Sequence, residues 1–405
     1  MPDMLSDLSY HDLFRFPEDF PSGSLFRPPP LLLAVQRARP VCPVRFQNGE
    51  RMWLISGSDD VRRVMSSSAF SRILAYRGAP RMAGNDLTSI PGAMFNMEGP
   101  RHRVLRGVVA PSFSKAAVTG QLSSFEAYSQ DAVARLQALS HTPELIHVFA
   151  ETLVRHLSTE LLGLTAAEFA ETQSCVRRQS ALSGNSQQTA DATRQLVRMA
   201  ARVYERASAG AGGEPILALA AAERSGSISA REAIGTTALL LATGTESLIP
   251  LLGTGPLALM AYRDATGSLP EDNSGWFAAA DEVLRYYNNG PINFPRVAVE
   301  DVIVAGMAVR AKEAVITSTL AAGWDPRKVP SPDRFDITRR TTSSVSFGAG
   351  PHFCLGASYV RTVLAVAYRV LFNELPQIRI TVPASALPGA QGGFFTRPAY
   401  LPVTW

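Results

Sequence analysis

Residues 347–357 read FGAGPHFCLGA. Three glycines (Gly348, Gly350, Gly356) and Pro351 crowd around Cys354, in a chain whose other cysteines are Cys42 and Cys175. Glycine allows backbone geometries and close approaches that a side chain forbids, and proline stiffens the path. Such a loop suits a backbone pressed against a flat ligand. The ordinary alternative is a cysteine serving as a small buried hydrophobe. Other chemistries fit worse. A zinc site needs about four ligands, and no Cys-x-x-Cys pair exists. A dinucleotide fingerprint would need a third glycine where Phe353 stands. A Cys–His nucleophile would need a base on a separate element, which nothing here indicates.

Three further groupings have spacings that matter. Glu282 and Arg285 in EVLR lie at i and i+3, so on a helix they can pair, although most such pairs are solvated surface charges. His102 and Arg106 in HRVLR are about one helical turn apart and project from the same face. Two cationic donors so placed suit an anion. In ATGTES (242–247), a glycine leaves room and a local distortion in a helix. The acid Glu246 beside the hydroxyl of Ser247 can hold water and relay protons. The plainer alternative is a polar kink whose hydroxyls bond back to helix carbonyls.

A single thiolate suits the role of sole protein ligand to a haem iron, where its electron donation favours O–O cleavage. The loop resembles the haem-binding signature of cytochromes P450, Phe-Gly-x-Gly-x-His-x-Cys-x-Gly, at Phe347, Gly348, Gly350, His352, Cys354 and Gly356. The resemblance implies that Cys354 is the metal ligand and that haem b is the cofactor. EVLR resembles the family's Glu-x-x-Arg pair, which an arginine in a later Pro-x-Arg-Phe stretch completes; PDRF (332–335) supplies Arg334 for a structural charge network under the loop. EGPRHRVLRGVVAPSFS (98–114) resembles the family's propionate-contacting segment, so His102 and Arg106 are expected on a haem propionate, with Arg296 in FPRVAVED and His352 as further contacts. ATGTES resembles the oxygen-binding stretch of the long central helix. Thr243 replaces the usual alanine, Gly244 is in place, Glu246 is the acid, and Ser247 stands where threonine is usual. Serine keeps the hydroxyl but loses the methyl that stiffens χ1, which loosens control of proton delivery.

By the same resemblance, the substrate pocket draws on Met94, Phe95, Asn96, Leu239, Ala242, Thr243, Glu246, the NFP loop with Phe294, and GGFF (392–395) with Phe394 and Phe395. The phenylalanines would offer flat apolar surface. Ser247, PRVAVEDVIV (295–304) and the ending YLPVTW look similar to actinobacterial P450s that tailor cyclodipeptides (diketopiperazines). This implies a small secondary metabolite, with a tryptophan-containing cyclodipeptide as one candidate. It would be oxidised with O2 by hydroxylation or by radical C–C or C–N coupling. Terpenoid, macrolide and fatty-acid substrates are alternatives. A haem-thiolate sensor or carrier is a different class, against which the acid–alcohol pair argues. The chain carries no flavin domain or iron–sulfur cysteine pattern, so electrons are expected from an external ferredoxin and ferredoxin reductase. The docking face would lie near the cysteine loop, with Arg361 and Arg103 as candidates.

The elements that must position these residues are legible in outline. RMWLISGSDDVRRVM (51–65) reads as a strand, then Ser-Asp-Asp opening a helix with Val61, Val64 and Met65 on one face. Residues 114–162 carry helical periodicity. REAIGTTALLLATGTESLI (231–249) is apolar nearly all round, a helix for the middle of the protein, and Pro250 should kink or shorten it. Residues 293–318 alternate and turn at Gly306, as a hairpin would, and VRTVLAVAYRVLF (360–372) is a second apolar helix. Residues 16–48 read as irregular, and 207–230 as a loop between helices. The expectation is a mainly α P450 fold, triangular with a smaller β-rich region, as a single domain over 1–405 with an irregular segment at 1–40.

Composition agrees. The chain has 405 residues, 46% apolar and 18% charged, with formal net charge +4. That supports a large core and argues against disorder. No Lys/Arg run marks a nucleic-acid partner. Three cysteines are no disulfide framework. No signal peptide is evident, and the early apolar run Leu31–Val35 is far short of the ~20 residues that span a bilayer. A cytoplasmic monomer without membrane attachment is expected.

Overall fold

The computed structural model describes residues 14–16, 18–20, 27–74, 82, 86–139, 141, 143–180, 185–288, 290–339, 344–389 and 397–405. It is mainly helical. Two long apolar segments form its spine, and both owe their position to side chains that leave no polar face.

The first is the central helix, Ala230–Glu246. Ser229 and Glu232 close its N-terminus in a reciprocal capping box. Gly235 is the crossing point with residues 91–93: a Cβ there would lie 2.2 Å from the Pro91 carbonyl oxygen. The helix stops at Glu246, and a turn at 247–248 leads into Ile249–Thr266, with Pro250 in its first turn. The expected kink is therefore a full break. The stretch Ala230–Thr266 is apolar and long enough to cross a membrane, but 78% of its most apolar window is buried inside the protein. It is a core element here.

The second is Ala357–Glu374, directly after the cysteine loop. Its buried face includes Val363, Leu364, Ala367, Tyr368 and Leu371. It packs against Leu122–Gln137 and Asn273–Tyr286. These helices, with the turns of Leu145–Leu162 and Ile249–Thr266, build one large apolar cluster. A second cluster joins the central helix to Gly99–Val109, Ala166–Gln179, Ser186–Ser208 and Glu214–Arg224.

The smaller β region is a mixed sheet in the order Phe14–Phe16, Val41–Phe46, Arg51–Ile55, Ala314–Thr317, Arg296–Ala298, Phe70–Ser71. Arg51–Ile55 leads into the helix Ser58–Ser66, which buries Val61, Val64 and Met65 as expected. Val302–Val304 and Met307–Val309 form the hairpin, with Ala305 and Gly306 both at positive φ in its turn.

Two expectations fail. Residues 16–48 are not irregular: Pro30–Ala38 is a helix and Val41–Phe46 a strand. Pro30 fits a first helical position, where no N–H bond is lost, and Leu32 and Val35 are buried beneath it. Residues 207–230 are not a plain loop either. Glu214–Arg224 is a helix, again with a proline in its first turn, burying Ile216, Leu219 and Ala220.

Candidate active site

The cysteine loop folds back on itself before the helix Ala357–Glu374 begins. Cys354 N–H donates to the Phe347 carbonyl (2.9 Å) and Phe353 N–H to that of Gly350 (3.0 Å). The Phe347 and Phe353 rings meet edge to face at 6.3 Å. Gly348 and Gly350 sit at φ 78° and 71°, a region that costs an L-residue about 1–2 kcal/mol. At Gly350 a Cβ would also come within 2.7 Å of the Met65 carbonyl oxygen, at the end of the Ser58–Ser66 helix. Gly356 differs: its φ is −87°, and the nearest atom to an added Cβ is Phe113 Cδ1 at 4.0 Å. Protein packing does not explain that glycine. Cys354 is exposed to solvent, although the protein atoms around it desolvate the thiol. Burial pushes its thiol upward, while the Gly356 N–H and the Arg106 charge favour the thiolate.

Cations converge beside this loop. His102 is buried on the helix Gly99–Val109, its ring 4.4 Å from that of His352. Burial, then the His352 and Arg106 charges, hold His102 down to about 4. One turn on, Arg106 Nη2 donates to the Phe353 carbonyl (2.7 Å). Arg296 is buried at the start of its strand, where loss of water lowers its pKa to about 10 and Glu98 alone opposes the fall. Its guanidinium has no hydrogen-bond partner among the described residues. His352 Nε2 lies 3.2 Å from Glu98 Oε2. Sequence reasoning missed Glu98, although an acid just before the Gly99-Pro100 helix start was a visible signal.

Among the described residues four basic side chains, His102, Arg106, Arg296 and His352, gather beside one carboxylate, Glu98, and the Arg296 guanidinium has no hydrogen-bond partner; two haem propionates would supply acceptors for them. The thiol has an amide donor and a cation close by. At Gly356 no atom of the described residues lies closer than 4.0 Å to an added Cβ. The residues fit the group.

On the central helix, Thr243 is exposed, Gly244 and Ser247 partly so, and Ala242 is buried. Thr243 Oγ1 donates to the Leu239 carbonyl (2.9 Å), and Ser247 Oγ to that of Thr243 (2.6 Å). Glu246 is not bonded to Ser247. It is buried and faces Arg177 Nε on the helix Ala166–Gln179 (3.1 and 3.2 Å) and Arg397 Nε (3.7 Å). Arg177 also pairs with Glu151. Burial raises the Glu246 pKa and Arg177 pulls it back.

Of the expected pocket residues, Phe95 and Phe294 meet edge to face at 5.2 Å. Both pack on the apolar cluster that holds Met94, Leu239 and Ala242, as does Leu355, next to the thiol. Met94 N–H donates to Thr236 Oγ1 (3.3 Å), and Asn96 Nδ2 to the carbonyls of Leu87 and Ile90. Phe394 and Phe395 lie outside the described residues.

The charge network needs one correction. Glu282 and Arg285 form a bidentate pair, 2.7 Å on each arm and 1% exposed on both sides. Arg334 does not complete it: its side chain is 72% exposed and nearest Asp336 at 3.9 Å. Arg339 takes the place, with Nε 3.5 Å from Glu282 Oε1. Arg334 contributes only its carbonyl oxygen, which accepts from Arg285 and Arg339. Arg361 is likewise not a free surface charge, since it grips Asp281 at 2.6 Å on both arms. Arg103 is exposed.

This fold brings together a thiol loop, a cluster of basic side chains and a broken central helix. A family profile described as "Cytochrome P450" matches residues 278–366. The mycinamicin IV hydroxylase/epoxidase of Micromonospora griseorubida is 30% identical over 385 residues, 92% of this chain and 94% of that protein. The nocardicin C N-oxygenase of Nocardia uniformis subsp. tsuyamanensis is 29% identical, with 91% and 93% covered. The crystal structure of the mycinamicin VIII C21 methyl hydroxylase from Micromonospora griseorubida superposes with a TM-score of 0.88 at 23% identity, covering 97% of this chain and 100% of that one. The chain belongs to the cytochrome P450 family. It is a P450 monooxygenase with haem as its cofactor.

Proposed function

We propose that this P450 oxidises a small, ring-bearing secondary metabolite, and that the residues above divide the work as follows. Cys354, in the loop of Phe347, Gly348, Gly350 and Gly356, would hold the haem iron through its thiolate. His102, Arg106, Arg296 and His352 would anchor the propionates. When bound, haem supplies thiolate-assisted activation of O2 with external electrons. The protein's part is to place the substrate, limit water and deliver protons. Thr243, Gly244 and Ser247 present the partly open face of the central helix; Ser247 Oγ would hand on protons there, and Glu246, held on Arg177 and not bonded to Ser247, would supply them only through intervening water, its pKa raised by burial. Phe95, Phe294 and Ala242 would line the substrate side.

The observation that carries the substrate class is the edge-to-face pair of Phe95 and Phe294, which offers flat apolar surface to a ring. A tryptophan-containing cyclodipeptide is our specific candidate. Oxygen insertion is the primary reaction, in line with relatives named as a hydroxylase/epoxidase and an N-oxygenase. Radical coupling is the second reading, favoured by serine at 247. A macrolide substrate is the competing class, favoured by the mycinamicin enzyme. We further propose one domain over residues 1–405, a cytoplasmic monomer, and electrons from an external ferredoxin and its reductase docking beside the exposed Arg103.

Two measurements test this. Cys354→Ser should abolish the red-shifted Soret band of the reduced carbon monoxide complex; a retained band ends the ligand assignment. Titration with tryptophan-containing cyclodipeptides and with macrolides should shift the iron from low to high spin for the former. A shift with macrolides alone overturns the substrate reading. Shifts without product, in the presence of ferredoxin and reductase, would make the protein a carrier.

A further inference from the structure

Arg72 follows the short strand Phe70–Ser71, is 5% exposed, and has no part in the roles assigned above. Its backbone N–H donates to Glu98 Oε1 (2.7 Å), the carboxylate whose other oxygen meets His352. Its Nη1 donates to the carbonyls of Phe294 (3.0 Å) and Pro295 (3.3 Å). Its Cζ stands 3.6 Å from the centre of the Phe95 ring and 5.9 Å from that of Phe294. Among the described residues the guanidinium forms no ion pair, and Nε and Nη2 have no hydrogen-bond partner. Burial and the Arg296 charge both work against its ionisation. Burying a charge is costly unless it is hydrogen-bonded, and among the described residues two main-chain carbonyls and the face of Phe95 are what hold this one.

The side-chain contacts all lead to the aromatic pair or to the main chain beside it. Phe95 comes from the turn Met94–Asn96, and Phe294 from irregular chain before the strand Arg296–Ala298. Arg72 lies against the face of Phe95 and holds the main chain of Phe294, so one group sets the angle between rings from distant segments. We infer that Arg72 is a positioning residue that fixes the Phe95–Phe294 wall and thereby selects flat, ring-bearing ligands. This rests on the reading that the two rings line the substrate side of the haem site.

The test uses the haem-loaded protein, titrated spectrally with imidazole and with 4-phenylimidazole. The readout is the preference for the phenyl compound, which a purely structural role would not move. Arg72→Met should reduce that preference about thirtyfold, the scale of a desolvated cation–π contact. Arg72→Lys, which keeps the cation and loses the planar fork, should fall between. Phe95→Ala should lower the preference by itself, and Arg72→Met in that background should add less than about twofold, since coupled residues are non-additive. Arg72→Met with the parent's preference, or losses that simply multiply, overturns the proposal. Should Arg72→Met fail to take up haem, Arg72→Lys decides, and a parent-like preference there overturns it equally. No effect from Phe95→Ala defeats the pocket reading and this inference together; an effect from Phe95→Ala with none from Arg72 defeats this inference alone.

Discussion

Arg334 and Arg339 compete for one structural role, and the geometry predicts opposite outcomes for removing them. Arg339 is 13% exposed at its side chain. It donates from Nη1 to the Pro330 carbonyl (2.7 Å) and from Nη2 to those of Ser331 (3.2 Å) and Arg334 (3.1 Å). Its Nε lies beside Glu282, the carboxylate already committed to Arg285. A hydrogen bond from a charged donor nets about 1.5–3 kcal/mol. Three bonds on one guanidinium are not additive, so Arg339→Ala should cost about 2–4 kcal/mol. Arg334 offers only a 3.9 Å contact at a largely exposed site, worth about 0–1 kcal/mol. Its carbonyl, which does accept from both arginines, survives truncation to alanine. Urea unfolding of the two haem-loaded variants, followed by circular dichroism and by the Soret band, measures both costs; the slope should stay constant while the midpoint moves. If Arg334→Ala costs as much as Arg339→Ala, the assignment of Arg339 to the network is wrong.

Three other outcomes are expected. Gly350→Ala should destabilise the loop by more than about 2 kcal/mol, from the left-handed backbone plus the 2.7 Å approach to the Met65 carbonyl; haem retention during dialysis reads it, and parent-like retention counts against the packing. Glu246→Gln should slow product formation about 10²-fold, the lower range for a lost proton-transfer group, with the haem spectrum unchanged; an unaltered rate in steady-state turnover removes Glu246 from proton delivery. Glu232, bound by Arg101 and the Ser229 cap, is held down to about 2, chiefly by its hydrogen bond to Arg101. A depressed carboxylate contributes stability above its unfolded pKa, near ~4.3, that is lost as pH falls toward about 2. Glu232→Gln should therefore flatten the pH dependence of the urea midpoint across that window, and a parent-like slope would show that the ion pair contributes nothing.

Much of the site was legible because its signals are local. The loop around Cys354, the i,i+3 pair of Glu282 and Arg285, and the one-turn spacing of His102 and Arg106 are each set within a few residues. Backbone sterics and helix periodicity make such spacings readable in a string. The central helix was legible for a related reason: a segment with no polar face has only the interior to occupy. Choices between distant segments were not legible. Arg334 sat in the expected motif, yet Arg339, five residues on, reaches Glu282 because the chain between them turns and buries one guanidinium while leaving the other in water. Glu246 looked like the neighbour of Ser247, but packing against the helix Ala166–Gln179 gave it Arg177 instead. Arg72 carried no signal at all. Its contacts join it to Phe95 and Phe294, which only folding brings together, and burial and ion pairing across such separations depend on how the layers stack. The string determined which chemistry this protein holds; the tertiary structure decided which side chains serve it.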